Sequence, residues 1–441
     1  MKNVLMALSV SLMLGGIASA QKVVFEEYNL DNGLHVILHN DPSSPKVITS
    51  VMYHVGAKDE QPNRTGFAHF FEHLLFEGTQ NIKRGEWMSI VSGNGGTNNA
   101  NTTEDRTYYY EVFPSNNLEL GLWMEAERLR HPVINQIGVN TQNEVVKEEK
   151  RLSYDNKPYG ELIPVVKRNI FKKHPYRWTT IGSMEHLDAA TLEEFKSFNK
   201  KFYIPNNAVL VVAGDFNNEQ AKTWIQKYFG SIKKGPAIIR TNYIEEPITQ
   251  TINATYEDPN IQIPLVVTAY RTPSMKTRDA RVLDMISTIL SDGKSSRLYK
   301  KVVDDKKMAL QIGAFTYSQE DYGTYIVYGL PQTPFTTEDI VREIDEEIAK
   351  LQTELISEKE LQKLENKYEN QYVNTNSTIE GVADNLATYF MLYGDVNLIN
   401  TEIDIYRSIT REEIRDVAKK YLNTNQRLLL NYIPLKDKAQ N

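Results

Sequence analysis

The sequence predicts an α/β (α+β) protein built from two homologous domains. Three observations lead there. Segments with strand and helix patterns alternate along the chain. A cap–helix–turn–strand unit occurs twice, about half a chain apart. The length of 441 residues exceeds the size at which a single hydrophobic core usually keeps growing.

The first twenty residues, "MKNVLMALSVSLMLGGIASA", have Lys2, a short apolar stretch and Ala18-Ser19-Ala20. That is the pattern of a secretory signal peptide, so the mature chain is expected to start near Gln21 and to be exported, to a periplasm or outside the cell. The runs "LHVILHN", "VITSVMYHVGA" and "NAVLVVAGD" read as strands, and "NLELGLWMEAERLR" and "TLEEFKSFNKKFY" as helices. Glycine and proline punctuate the turns between them.

The repeat organises the whole. "TLEEFKSFNKKFYIPNNAVLVVAGD" begins at Thr191 and "TREEIRDVAKKYLNTNQRLLLNYIP" at Thr410, an offset of 410 − 191 = 219 residues. Both give a Thr cap, two acids, an amphipathic helix, Lys-Lys-aromatic, a polar turn and an apolar strand. A period of that length indicates a duplicated domain, not a solenoid. The boundary falls in polar residues 233–247, which carry Gly235, Pro236 and Pro247. The expected division is a signal peptide at 1–20, a first domain at 21–238, a linker at 239–250 and a second domain at 251–441.

Composition narrows the function classes. The formal net charge is −7, with 41% hydrophobic and 24% charged residues, and no Lys/Arg cluster stands out. Nucleic acid is therefore not an expected partner. After the leader no segment runs to 18 apolar residues, so no stable membrane anchor is expected. With no Cys there are no disulfides.

The chemistry concentrates in "TGFAHFFEHLLFEGT", residues 65–79. The run is almost wholly apolar and reads as a buried helix, with Thr65 as its cap and Gly78 at its end. Yet it carries His69, Glu72 and His73, and buried polar groups are costly without partners. On a helix, positions i and i+4 share a face and i+3 lies beside them. Two imidazoles so placed can hold one Zn²⁺, with the carboxylate near a water on the metal. The bland alternative is two core histidines bonded to backbone. His35 and His39 are also four apart, but in a strand-like run with no Glu between them, so they read as structural, as do the isolated His54, His131, His174 and His186.

Catalytic zinc needs a third protein ligand. The candidate segment is "TQNEVVKEEKRLS", residues 141–153. Read as a helix at about 100° per residue, Val145, Val146 and Leu152 define an apolar stripe with Glu149 in its middle. Glu148 lies most of a right angle away. Glu149 is thus the better ligand and Glu148 a solvated or supporting acid. The other reading leaves both on a solvated face. Further upstream, Gly95 and Gly96 in "GGTNNANT" bring no side chain, so a peptide backbone could approach and pair with this strand edge. Here too a plain glycine turn is the alternative.

These motifs resemble the M16 metallopeptidases, the pitrilysin, insulinase and mitochondrial-processing-peptidase group, whose inverted zinc motif is H-x-x-E-H. The resemblance covers nearly the whole mature chain. It includes "VGAKDE" (55–60), the motif run itself, "GGTNNANTTEDRTYYY" (95–110), "NEVVKEEKR" (143–151) and "HPYRWTTIGSMEHLDAATLEEF" (174–195). In the family the third ligand lies 76 or 77 residues beyond the second His; here 149 − 73 = 76, which again selects Glu149. The resemblance implies two homologous domains, each a mainly antiparallel sheet packed with helices, around a peptide chamber. It also implies that Asn99, with Ala100 beside it, touches the substrate backbone near the cut. Many members carry a supporting Glu seven residues before the ligand Glu; this chain has Gln142, so that carboxylate is missing or supplied by Glu144.

The expected activity is zinc-dependent hydrolysis of peptides, with one Zn²⁺ per chain held by His69, His73 and Glu149. Glu72 acts as general base toward the zinc water. A non-catalytic structural or binding subunit is the alternative, and a metal hydrolase of a non-peptide substrate a more distant one. In relatives that work alone or as homodimers, the second domain supplies an Arg and a Tyr, seven residues apart, after a "SSRLY" stretch. This chain has that stretch at Ser295–Tyr299, but Val303 and Leu310 stand where the Arg and Tyr belong. Arg297 and Tyr299 belong to the preceding stretch and read as structural. The resemblance therefore implies a heterodimer with a related subunit that supplies the donors; a homodimer or monomer using other donors is the alternative.

Overall fold

A computed structural model describes residues 22–435 of the chain. The expected signal peptide lies outside the described residues. The first half forms six strands: β1 (Glu26–Asn29), β2 (His35–Asn40), β3 (Lys46–Tyr53), β4 (Thr97–Thr102), β5 (Thr107–Pro114) and β6 (Ala208–Gly214). They make one sheet in the order β1-β2-β6-β3-β5-β4. The second half forms β7 (Ile252–Asp258), β8 (Leu265–Pro273), β9 (Ala309–Ser318), β10 (Tyr322–Pro331) and β11 (Arg427–Pro434), in the order β7-β11-β8-β10-β9.

Apart from the extra edge strand β1, the two orders are the same. In each half one early strand pairs in parallel with the last (β2 with β6, β7 with β11), and every other pairing is antiparallel. The repeat seen in the sequence sits at equivalent places. Thr191 caps the helix Leu192–Phe202 before β6, and Thr410 caps the helix Arg411–Tyr421 before β11. Both caps are reciprocal: Glu194 N–H donates to Thr191 Oγ1 at 3.3 Å and Glu413 N–H to Thr410 Oγ1 at 3.2 Å, while each Glu carboxylate accepts from the Thr backbone N–H at 2.8 Å.

Five helices of the first half matter for the site: α1 (Phe67–Leu74), α2 (Trp87–Gly93), α3 (Leu118–Arg130), α4 (Gln136–Lys150) and α5 (Leu162–Ile170). The first four, with the Leu192–Phe202 helix, enclose one face of the first sheet around a large apolar core. A second core lies on the corresponding face of the second sheet.

The outer faces are covered reciprocally. Val165, Val166 and Ile170 of α5 pack on the second sheet against Val267, Ala269 and Leu430. Val382, Ala383 and Leu386 of the second-half helix Ile379–Thr388 pack on the first sheet against Ile48, Val209 and Val211. Each half thus closes the other's sheet. The stretch expected as a linker is fastened as well: buried Glu245 accepts from the backbone N–H groups of Lys172, Lys173 and His174 at 2.6–2.8 Å. Between the halves, half-buried Lys58 lies 3.0 Å from Asp105 and 2.6 Å from Glu320 of the β9–β10 turn. Among the described residues no helix is long and apolar enough to cross a membrane.

Candidate metal centre

The helix α1 has two faces of different kinds. Phe67, Phe70, Phe71 and Leu74 are buried, and Phe67 and Phe70 meet Phe195 while Phe71 stacks on Phe198. That packing fixes the helix and turns His69 and His73 to the other side. Its start differs from the expectation. Thr65 is not the cap: Gly66 is, in a left-handed conformation at φ +96°, where a Cβ would come within 2.9 Å of the Ile181 carbonyl. Thr65 instead bonds His186 Nδ1 through its hydroxyl at 2.8 Å. The free N–H groups of the first turn go to buried Glu60, which accepts from Gly66 and Ala68 at 2.9 Å each. At the other end the helix stops at Leu74, and Gly78 lies in the turn beyond it.

The Nε2 atoms of His69 and His73 are 3.4 Å apart. Glu149 of α4 sends Oε1 to within 3.5 Å of His69 Nε2 and Oε2 to within 3.3 Å of His73 Nε2. Tetrahedral ligands at ~2.0–2.1 Å from zinc lie about 3.3 Å from one another; the two imidazoles hold that spacing, and each has one oxygen of the Glu149 carboxylate at close to it. Two imidazoles and one carboxylate are also a zinc donor set. Bonds from the two imidazoles hold the Glu149 carboxyl well below the usual carboxylate range. Among the described residues this is the one group of three or more such side chains close enough to share an ion.

Glu149 is where the helical face placed it, but for a different reason. Of the expected stripe only Val146 is buried; Val145 is 44% exposed and Leu152 64%. The buried face of α4 runs through Val139 and Val146 instead, and Glu149, three residues after Val146, continues that line. Glu148 points to solvent and pairs with Arg151 at 3.1 Å. Gln142 shares the Glu149 face, but its amide donates to Glu77 at 2.5 Å. Glu144 is exposed and pairs with Lys147 at 3.3 Å, so it is not the replacement for a supporting carboxylate.

Glu72 accepts a hydrogen bond from Thr102 Oγ1 at 2.7 Å. Sequence reasoning missed Thr102, although it stands in the same polar run as Asn99. That run is β4, which among the described residues pairs only with β5 and leaves its other edge free. Asn99 and Ala100 lie on this strand, and the Ala100 N–H donates to Asn99 Oδ1 at 2.9 Å rather than to β5. The two glycines before it have local explanations. Gly95 turns the chain at φ +72°, and a Cβ on Gly96 would come 2.5 Å from the Phe113 ring.

The remaining histidines have protein partners: His35 with Glu27, His39 with the Val24 carbonyl, His54 with Glu320, His131 with Glu127, His174 with Asp321. In the second half Val303 sits in a π-helical turn against the core, and Leu310 is 51% exposed on β9. Arg297 is held by both carboxylate oxygens of Glu360, at 2.8 and 3.1 Å.

Both halves of the chain have known relatives. Residues 35–183, which include all three candidate ligands, match the family described as insulinase (peptidase family M16), and residues 189–368 match the peptidase M16 inactive domain. The zinc protease PqqE of Helicobacter pylori is 30% identical over 404 residues, 91% of either chain. A solved protease from Helicobacter pylori superimposes with a TM-score of 0.88 at 28% identity, covering 93% of this chain and all (100%) of that one. The periplasmic protease PqqL of Escherichia coli shares the fold at a TM-score of 0.78 and 16% identity, and this chain covers 50% of its length. The chain belongs to peptidase family M16.

Proposed function

We propose that the chain is a zinc-dependent endopeptidase, exported to a periplasm or beyond, and the zinc-bearing subunit of a heterodimer. The observation that carries this is the spacing of 3.3–3.5 Å among His69, His73 and Glu149, with Glu72 held beside them by Thr102. Zinc bound there would polarise the scissile carbonyl and lower the pKa of a water molecule. Glu72, with Oε2 engaged by Thr102, keeps Oε1 to take the proton from the attacking water and return it to the leaving amine. A peptide strand adding to the free edge of β4 is positioned by backbone pairing. It would displace the Asn99 amide from the Ala100 N–H and take that donor for itself. In this reading residues 1–20 are a leader removed on export. Residues 21–238 are the zinc-bearing domain, 239–250 a linker and 251–441 the second domain, in keeping with strands that divide at 214 and 252.

A non-catalytic subunit is the second reading, favoured by Val303 and Leu310 in the second half. The experiment is to load the mature chain with zinc, with and without any copurifying relative, and compare Glu72→Gln with wild type on a mixed peptide pool. Hydrolysis that Glu72→Gln abolishes while zinc stays bound supports the peptidase. Zinc bound with no hydrolysis in any pairing favours the second reading.

A further inference from the structure

The helix α4 does not end as an α-helix. It runs into a π-helical turn, Arg151–Asp155. The Asn156 N–H closes that turn on the Arg151 carbonyl at 2.8 Å, five residues back. In an α-helix, residues five apart diverge by about 140°. The wider π turn brings them toward one face, and such turns are frequent at functional sites. The ion pair between Lys150 and Asp155, five residues apart, is a direct consequence. Glu149, in the last α-helical turn before it, and Tyr154, inside it, are also five apart, so the wider turn brings Tyr154 nearer the Glu149 face than an α-helix would.

The surroundings of Tyr154 agree. Its ring packs against the first core. Burial, then the nearby Tyr317 of β9, Glu104 and Glu149, push its hydroxyl up to about 12, so it keeps its proton at neutral pH. Among the described residues that hydroxyl is in no hydrogen bond, whereas Tyr109, Tyr176 and Tyr432 each donate to a partner. Tyr154 is therefore a half-buried donor with its proton unspent, and Tyr317 of the second half and Glu149 of the candidate centre are among the groups that act on it.

We propose that Tyr154 is a further catalytic residue, donating its phenolic O–H to the oxygen of the scissile carbonyl as negative charge builds there. The proposal rests on the peptidase reading above. Peptide hydrolysis benefits from a positioned donor at that oxygen, and one such donor is often worth ~10²- to 10³-fold in rate. Val303 and Leu310 supply none from the second half. Tyr154 is rigidly linked to a metal ligand through one helix, so its position relative to the reacting carbonyl is set before substrate arrives.

The test is Tyr154→Phe, which removes the oxygen and keeps the ring. It is made in the mature chain together with any related subunit that copurifies. The substrate is a quenched fluorescent peptide built on a cleavage site found in a casein digest, and the second probe is a phosphinic peptide of the same sequence, which mimics the tetrahedral state. The expected result is a ten- to hundredfold fall in kcat, with KM, zinc content and melting temperature unchanged. The phosphinic peptide should loosen by the same factor, while the uncleaved peptide binds equally well in a Glu72→Gln background. An unchanged kcat, or a fall explained by lost zinc, overturns the proposal. If the wild type hydrolyses nothing, equal phosphinic-peptide affinity in the two proteins overturns it instead. An active Glu72→Gln would sink the peptidase reading itself, a separate outcome.

Discussion

Thr102 Oγ1 donates to Glu72 Oε2 at 2.7 Å, joining the edge strand β4 to the motif helix α1. The bond ties the proposed base to the strand proposed to hold the substrate. A hydrogen bond to a charged group is worth about 1.5–3 kcal/mol. Thr102→Val should therefore lower kcat about ten- to a hundredfold without loss of zinc. Thr102→Ser, which keeps the hydroxyl, should recover most of the rate. Equal rates for wild type and the valine variant would show that Glu72 needs no such support.

Zinc stoichiometry separates the two neighbouring acids. Glu149 spans both imidazoles at 3.3 and 3.5 Å, while Glu148 turns outward to Arg151. Glu149→Ala should lose most of the metal in a dialysed sample, and Glu148→Ala should keep nearly one zinc per chain. The reverse order would transfer the ligand role to Glu148.

The candidate centre is legible in the sequence wherever the information is local. His69 and His73 are one helical turn apart, and the like runs that begin at Thr191 and Thr410 mark the duplication. What the sequence does not show depends on distant parts of the chain. Thr65 looked like a cap, but Glu60 reaches in from the preceding loop and Gly66 adopts the left-handed turn. Val145 and Leu152 looked buried because they are apolar; the face that packs is set by what lies against α4, and it runs through Val139 and Val146. The exchange of α5 and the Ile379–Thr388 helix between the sheets has no sequence-local signature, since neither helix declares which sheet it covers.

Arg297 should matter for stability in a pH-dependent way and not for catalysis. Burial alone would raise the Glu360 carboxyl, but Arg297 and the Ser357 backbone N–H outweigh it and hold the group at about 2, against an ordinary 4.5. A carboxyl depressed in the folded state stabilises above its unfolded value, and that contribution is lost as pH falls toward the folded one. Arg297→Met should therefore cost about 1 kcal/mol at pH 7, because solvent screens this partly exposed pair. The gap to wild type should close as melts are repeated from pH 4.5 down to 2. Peptidase activity at pH 7 should stay within about twofold. A large loss of activity without loss of stability would place Arg297 in the chamber after all.

The final prediction concerns completeness. With Val303 in a π-helical turn and Leu310 exposed on β9, the second half offers no donor at the two positions where the resemblance implies an Arg and a Tyr. Preorganised donors of that kind are often worth ~10²- to 10³-fold each, so a chain lacking them should be slow by itself even with its zinc in place. The mature chain should hydrolyse a mixed peptide pool at least tenfold faster when a related subunit carrying that Arg and Tyr is added. Zinc content should stay the same, because all three proposed ligands are on this chain. The proposed donor Tyr154 would not replace the pair, because it belongs to the half that carries the candidate centre and leaves the opposite side of the substrate unheld. Adding the partner to the Tyr154→Phe variant should therefore still accelerate it, from a lower starting rate. Full activity of the isolated chain, unchanged by the partner, would rule out the heterodimer.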